Sequence, residues 1–170
     1  MQIIFLFTIL LFVASSPAYS DSTLEQATDN KDHLLVYKSP TCGCCSNWIA
    51  HMEASGFTVE AVNSVNMGAI KQQYNIGANL QSCHTAVHAS SGYVFEGHVP
   101  AGAVKQFLSK APGNAIGLTV PGMPAGSPGM EMGSRFDPYL VIQLNEEQSP
   151  SLYMRVNSKS AQDAIGMDDQ

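Results

Sequence analysis

Three cysteines stand at the junction of two backbone patterns, and that position limits the folds open to the chain. His33-Leu34-Leu35-Val36-Tyr37 is a short apolar run and reads as a buried strand. Ser39-Pro40-Thr41 breaks it. Cys44 to Ser55 then suits a helix, with Trp48, Ile49 and Met52 at helical spacing and Gly56 as the stop. Cys42, Cys44 and Cys45 therefore fall where a strand gives way to a helix.

The pattern continues downstream. Phe57 to Val62 alternates as a second strand, Asn66–Tyr74 is a short helix, and Thr85–His88 with Tyr93–Glu96 forms a hairpin through Ser90-Ser91-Gly92. Val99–Lys110 is a further helix with Pro100 in its first turn. Tyr139–Leu144 and Leu152–Val156 form a second hairpin about Asn145–Ser151. A strand–helix–strand unit with cysteines at the first helix's start is a thioredoxin-like pattern. The expected class is α/β, with a small central mixed sheet flanked by helices, a Gly/Pro/Met-rich loop and a C-terminal β-hairpin. That loop, Gly117 to Gly133, is expected to form neither helix nor central strand.

Residues 1–20 carry no charged side chain, and Ile3 to Val13 is an apolar run broken only by Thr8. With Ala18-Tyr19-Ser20 behind it, this reads as a secretory signal peptide cleaved near Ser20, too short to span a bilayer. No cysteine follows the cleavage site to carry a lipid, so no membrane anchor is expected after cleavage. The organisation expected is a signal peptide (1–20), a loose arm (21–32), a metal-binding domain (33–157) and a flexible acidic tail (158–170). A net charge of −6 and the lack of a long basic tract argue against nucleic-acid partners. Export places the thiols in an oxidising space, where close cysteines become oxidised, bind metal or cycle between states.

Cys42 and Cys45 have C-x-x-C spacing at a helix start, where unpaired N–H groups and the helix dipole favour thiolate. Cys44 is surplus to a disulfide motif. As neighbours, Cys44 and Cys45 diverge around a helix, which suits bridging between ions better than chelation of one. Cys83, followed by His84, supplies a fourth sulfur from elsewhere. Pro121-Gly122-Met123 and Pro128-Gly129-Met130 each favour a type II turn that projects a thioether. Thiolate with thioether suits Cu(I), and thiolate with imidazole also suits zinc. His84 and His98 are the better imidazole candidates; His51 lies about a turn beyond the motif, and His33 and His88 read as structural.

Thr41-Cys42-Gly43-Cys44-Cys45 with Trp48, then Ser82-Cys83-His84-Thr85-Ala86, Gly92-Tyr93, Glu96-Gly97-His98-Val99-Pro100-Ala101, Gly117-Leu118, Val120 to Pro124 and Gly126 to Glu131 carry a resemblance. Over roughly residues 34–156 the chain resembles the CopG-like family, periplasmic metal-binding proteins of Gram-negative copper-resistance systems long described only as a domain of unknown function. The resemblance implies a thioredoxin-like fold and a cysteine-bridged Cu(I) site of Cys42, Cys44, Cys45 and Cys83, with Met123 or Met130 as outer ligands. It also implies copper ions and other periplasmic copper-resistance proteins as partners, and redox interconversion of copper or of the thiols. Two other readings stay open: a thiol–disulfide oxidoreductase using Cys42 and Cys45, and a zinc- or disulfide-stapled structural module.

Overall fold

The computed structural model describes residues 32–147 and 149–166. The expected signal peptide, the arm up to residue 31 and the last four residues of the tail lie outside the described residues. The elements are β1 (His33–Lys38), α1 (Gly43–Ala54), β2 (Thr58–Asn63), α2 (Met67–Gln73), a 3-10 turn (Ala78–Leu80), β3 (His84–His88), β4 (Val94–Gly97), α3 (Ala101–Ser109), β5 (Ala115–Val120), β6 (Tyr139–Asn145), β7 (Ser151–Val156) and α4 (Lys159–Ala164).

All seven strands join one mixed sheet in the order β2-β1-β3-β4-β5-β6-β7. The pairs β1/β2 and β4/β5 are parallel, as strands joined across α1 and α3 should be, and the others are antiparallel. Strand residues alternate between faces. Leu34, Val36, Ala86 and Phe95 meet Trp48 and Met52 of α1 and Val104 and Phe107 of α3 in the main core. Thr85 and Glu96, directly paired across β3 and β4, face the other way and meet Lys71 of α2. Helices thus cover both faces, as expected for the α/β class.

Three expectations need correction. Gly117–Val120 is not loop: it belongs to β5, a central strand between β4 and β6. A Cβ on Gly117 would stand 1.7 Å from the Val94 carbonyl oxygen, so glycine is what admits the neighbouring strand, and a bulge sits beside it. Through β5 the C-terminal hairpin, formed as expected, joins the main sheet. The segment from Ser158, expected to be a loose tail, folds into α4. Ser158 caps it through a bond from Ala161 N (3.1 Å), and Gln162 accepts a hydrogen bond from Tyr139 Oη at 2.7 Å. Finally, the helix expected from Val99 begins at Ala101, with Pro100 at its N-cap.

Candidate metal centre

Cys42 occupies the N-cap of α1 in extended conformation (φ −76°, ψ 97°). Its amide donates to Ser39 O at 3.1 Å and its Sγ accepts from Cys45 N at 3.3 Å. A sulfur here takes the role an oxygen usually has, satisfying one unpaired N–H of the first turn. Cys42 and Cys45 are joined as a disulfide, while Cys44 and Cys83 are free thiols. The helix turns Cys45 fully inward and leaves Cys44 half-buried.

Antiparallel pairing of β3 with β1 sets His84 opposite Lys38, so the residue before β3 arrives beside the start of α1. That residue is Cys83. Cys44 Sγ lies 3.5 Å from Cys42 Sγ and 3.7 Å from Cys83 Sγ, and all four sulfurs fall within 4.8 Å of one another. The divergence expected of Cys44 and Cys45 shows in their burial, yet their sulfurs stay within this limit.

Cys83 also touches both candidate imidazoles, with Sγ 3.0 Å from His98 Nε2 and 3.5 Å from His84 Nδ1. His98 Nδ1 lies 2.8 Å from the Pro128 carbonyl oxygen, which can only accept. The proton therefore sits on Nδ1, and in the neutral ring Nε2 turns a lone pair toward Cys83. Burial, first of all, lowers the pKa of His98, against the Pro128 carbonyl and Glu131, which raise it. Burial likewise holds His84 well below the ordinary histidine value, with His98 and Lys71 adding to the effect. His84 Nε2 is buried with no hydrogen-bond partner among the described residues. Its ring lies against Trp48, centroids 4.4 Å apart. Burial and the neighbouring Cys44 push the Cys83 thiol up to about 12. Neutral imidazoles beside a shielded thiol are donors for a soft cation, which would itself favour the thiolate.

The Gly/Pro/Met loop closes over this arrangement. Gly129 has φ +83°, and Met130 N donates to Ser127 O at 2.8 Å, closing the turn expected at Pro128-Gly129. A Cβ on Gly129 would lie 2.7 Å from Trp48 N and 2.8 Å from Cys44 O, so the loop rests directly on the first turns of α1. At the other turn Gly122 (φ +69°) donates from its N to Gln81 O at 3.1 Å, and its own carbonyl accepts from Ser82 Oγ. Each expected thioether thus follows a glycine fixed beside one arm of the cysteine cluster. Met123 is 56% exposed and Met130 half-buried.

The structure brings Cys42, Cys44, Cys45, Cys83, His84 and His98 together and carries Met123 and Met130 on the flanking turns. His51 is structural: its Nε2 accepts from Ala101 N at 3.1 Å at the start of α3. His88 Nδ1 lies 2.7 Å from Ser91 Oγ within the β3–β4 hairpin. Sequence reasoning missed the Pro128 carbonyl, the close seat of Gly129, and a buried Lys71–Glu96 pair behind Cys83. The available signal was Glu96 itself, a carboxylate inside the run Val94-Phe95-Glu96.

A family model described as "Protein of unknown function, DUF411" matches residues 80–130. The chain is similar to a solved structure titled "Copper resistance protein copG- Form 1", at 39% identity and a TM-score of 0.69, covering 74% of this chain and 98% of that one. A second, titled "Copper resistance protein copG- Form 2", matches at 38% identity and a TM-score of 0.69, covering 73% and 97%. No curated protein matches.

Proposed function

This chain belongs to the family of the copper resistance protein CopG, and on that premise we propose that it handles copper by binding Cu(I) through Cys42, Cys44, Cys45 and Cys83 in a thiolate-bridged site holding more than one ion. The observation that carries this reading is the row of sulfurs, with Cys44 3.5 Å from Cys42 and 3.7 Å from Cys83. Two thiolates sharing an ion at about 2.3 Å each can stand at most about 4.6 Å apart. Cys44 is within that reach of both neighbours, which suits it to bridge. His84 and His98 offer neutral imidazole at one flank, and Met123 and Met130 are the thioethers for the rim.

The disulfide gives the reading a redox side. A disulfide sulfur is a poor ligand, so the form with Cys42 joined to Cys45 offers two thiols, and the reduced form four. Two Cu(II) ions oxidising the Cys42/Cys45 dithiol would yield two Cu(I), one disulfide and two protons. The same disulfide at a helix N-terminus favours a second reading, thiol–disulfide exchange with protein substrates. We place the protein in the periplasm with other copper-resistance proteins as partners; the uncharged apolar N-terminal run and the disulfide support that location.

The test is Cu(I) titration of anaerobically reduced protein beside its Cys44→Ser variant. The expected result is more than one equivalent of copper in the wild type, with thiolate–copper absorption. The variant should lose more than one thiolate's share. Stoichiometric zinc with no copper retention refutes the copper site. Disulfide reductase activity that survives metal removal and the Cys44→Ser change favours the second reading.

A further inference from the structure

We propose that Glu96, neutralised by Lys71, is the positioning residue of the cysteine site, fixing Cys83 by holding the backbone amide of Ser82. Glu96 is fully buried and Lys71 nearly so, and they form an ion pair on the α2 side of the sheet. A buried pair is weak evidence for stability, because desolvation cancels much of its attraction and apolar residues of similar volume often do as well. Its presence here calls for another role.

The hydrogen bonds supply one. Glu96 Oε1 accepts from Lys71 Nζ and from Ser82 N at 2.6 Å, and Oε2 accepts from Thr85 Oγ1 at 2.6 Å. Ser82 precedes β3, so its amide has no strand ladder to enter. Gly97, next along β4, has φ +72°, and a Cβ there would stand 2.4 Å from Ser82 Cβ. Glycine is therefore what lets Ser82 lie against the strand. His98, one residue further, meets Cys83 Sγ. Glu96-Gly97-His98 thus reads against Ser82-Cys83 as one device: the carboxylate holds the amide, the glycine admits the side chain, and the imidazole meets the sulfur. Ser82 Oγ in turn donates to Gly122 O, tying the Met123 turn to the same point.

That Cys83 is a copper ligand rests on the reading above, but its positioning is testable without metal. In a Cys42→Ser/Cys45→Ser background only Cys44 and Cys83 remain, and the structure sets their sulfurs 3.7 Å apart. Diamide-driven formation of the Cys44–Cys83 disulfide, followed by thiol counting, then reports the placement of Cys83. K71M/E96L removes the charges and leaves Ser82 N without an acceptor, and it is expected to slow cross-linking about tenfold. K71M/E96Q is neutral as well, but its amide oxygen still accepts from Ser82 N, and it should cross-link at the parent rate. A parent rate in K71M/E96L overturns the proposal, as does equal slowing in both. If K71M/E96L does not fold, Glu96→Asp decides: it keeps the partner of Lys71 but withdraws the carboxylate from Ser82 N, and a parent rate there also overturns it. Wild type that takes up no copper while these rates hold would sink the copper reading and leave the positioning role standing.

Discussion

Replacing Gly129 by alanine tests whether the Pro-Gly-Met loop is seated on the cysteine helix, and Gly122 provides the control. Both glycines adopt positive φ, +83° and +69°, so each alanine meets the same backbone penalty of about 1 kcal/mol. Their surroundings differ. Around Gly122 nothing lies within 4 Å of a new Cβ. Around Gly129 the Cβ would meet Trp48 N at 2.7 Å, Cys44 O at 2.8 Å and Trp48 Cα at 3.1 Å, all backbone atoms of α1. A helix backbone cannot swing aside as a side-chain tip can, so the loop must lift by several tenths of an ångström. Overpacking of this kind costs a further 1–3 kcal/mol or so. Gly122→Ala is therefore expected to lose about 1 kcal/mol and Gly129→Ala about 2–4 kcal/mol. Urea unfolding of the metal-free, disulfide-bonded protein at constant pH measures both. Losses equal within about 0.5 kcal/mol would refute the seating, because the backbone penalty alone would then explain each.

Two further outcomes follow from the buried groups. Folded-state burial lowers the pKa of His84, His98 and His51 below the ordinary 6.5, while the unfolded chain keeps that value. Stability from these rings is then present above pH 6.5 and lost as pH falls below it, by at most about 1.3 kcal/mol per fully shielded ring between pH 7 and 5.5. Melting temperatures of the metal-free protein should fall across that interval, and a flat profile would refute the assignment of neutral, shielded imidazoles. Trp48→Phe removes the bond from Nε1 to Val99 O (2.9 Å) that ties α1 to the segment after His98. The orphaned carbonyl and the lost volume should cost about 2–3 kcal/mol in urea unfolding, and a loss below about 0.5 kcal/mol would show that Val99 O finds another donor.

What was legible in the sequence was what local chemistry dictates. A strand, a Pro break and a helical period place the start of α1 at the cysteines, while the cap made by Cys42, one residue beyond the Ser-Pro-Thr break, and the inward turn of Cys45 come from the structure. The Pro-Gly pairs were legible as turns for the same reason, since positive φ at Gly122 and Gly129 is a property of the dipeptide. What a glycine faces is not local. Gly117 reads as a strand breaker until Val94 is placed beside it, at which point it becomes the residue that admits β5 to the centre of the sheet. The acidic tail carries a Ser cap that can start a helix, but that helix docks only because Tyr139 bonds Gln162 and because Gly102 of α3, where a Cβ would stand 2.1 Å from Ile165 O, leaves room for its C-terminal end.

The cysteine site divides along the same line. Cys42 and Cys45 could be paired from spacing, but the contact of Cys44 with Cys83 depends on β3 running antiparallel to β1, a relation between segments 39 residues apart. Glu96 and Lys71 are separated by 25 residues and meet only because β4 pairs with β3 under α2. A charged residue in an apolar strand could be flagged from sequence; the cation that neutralises it and the amide it holds could not. The residues that supply sulfur and imidazole are thus readable as types, while those that set their distances emerge only from the register of the sheet. Substitutions in the second group should therefore alter the geometry of the sulfurs without removing a single donor, and that difference separates a ligand from a residue that places one.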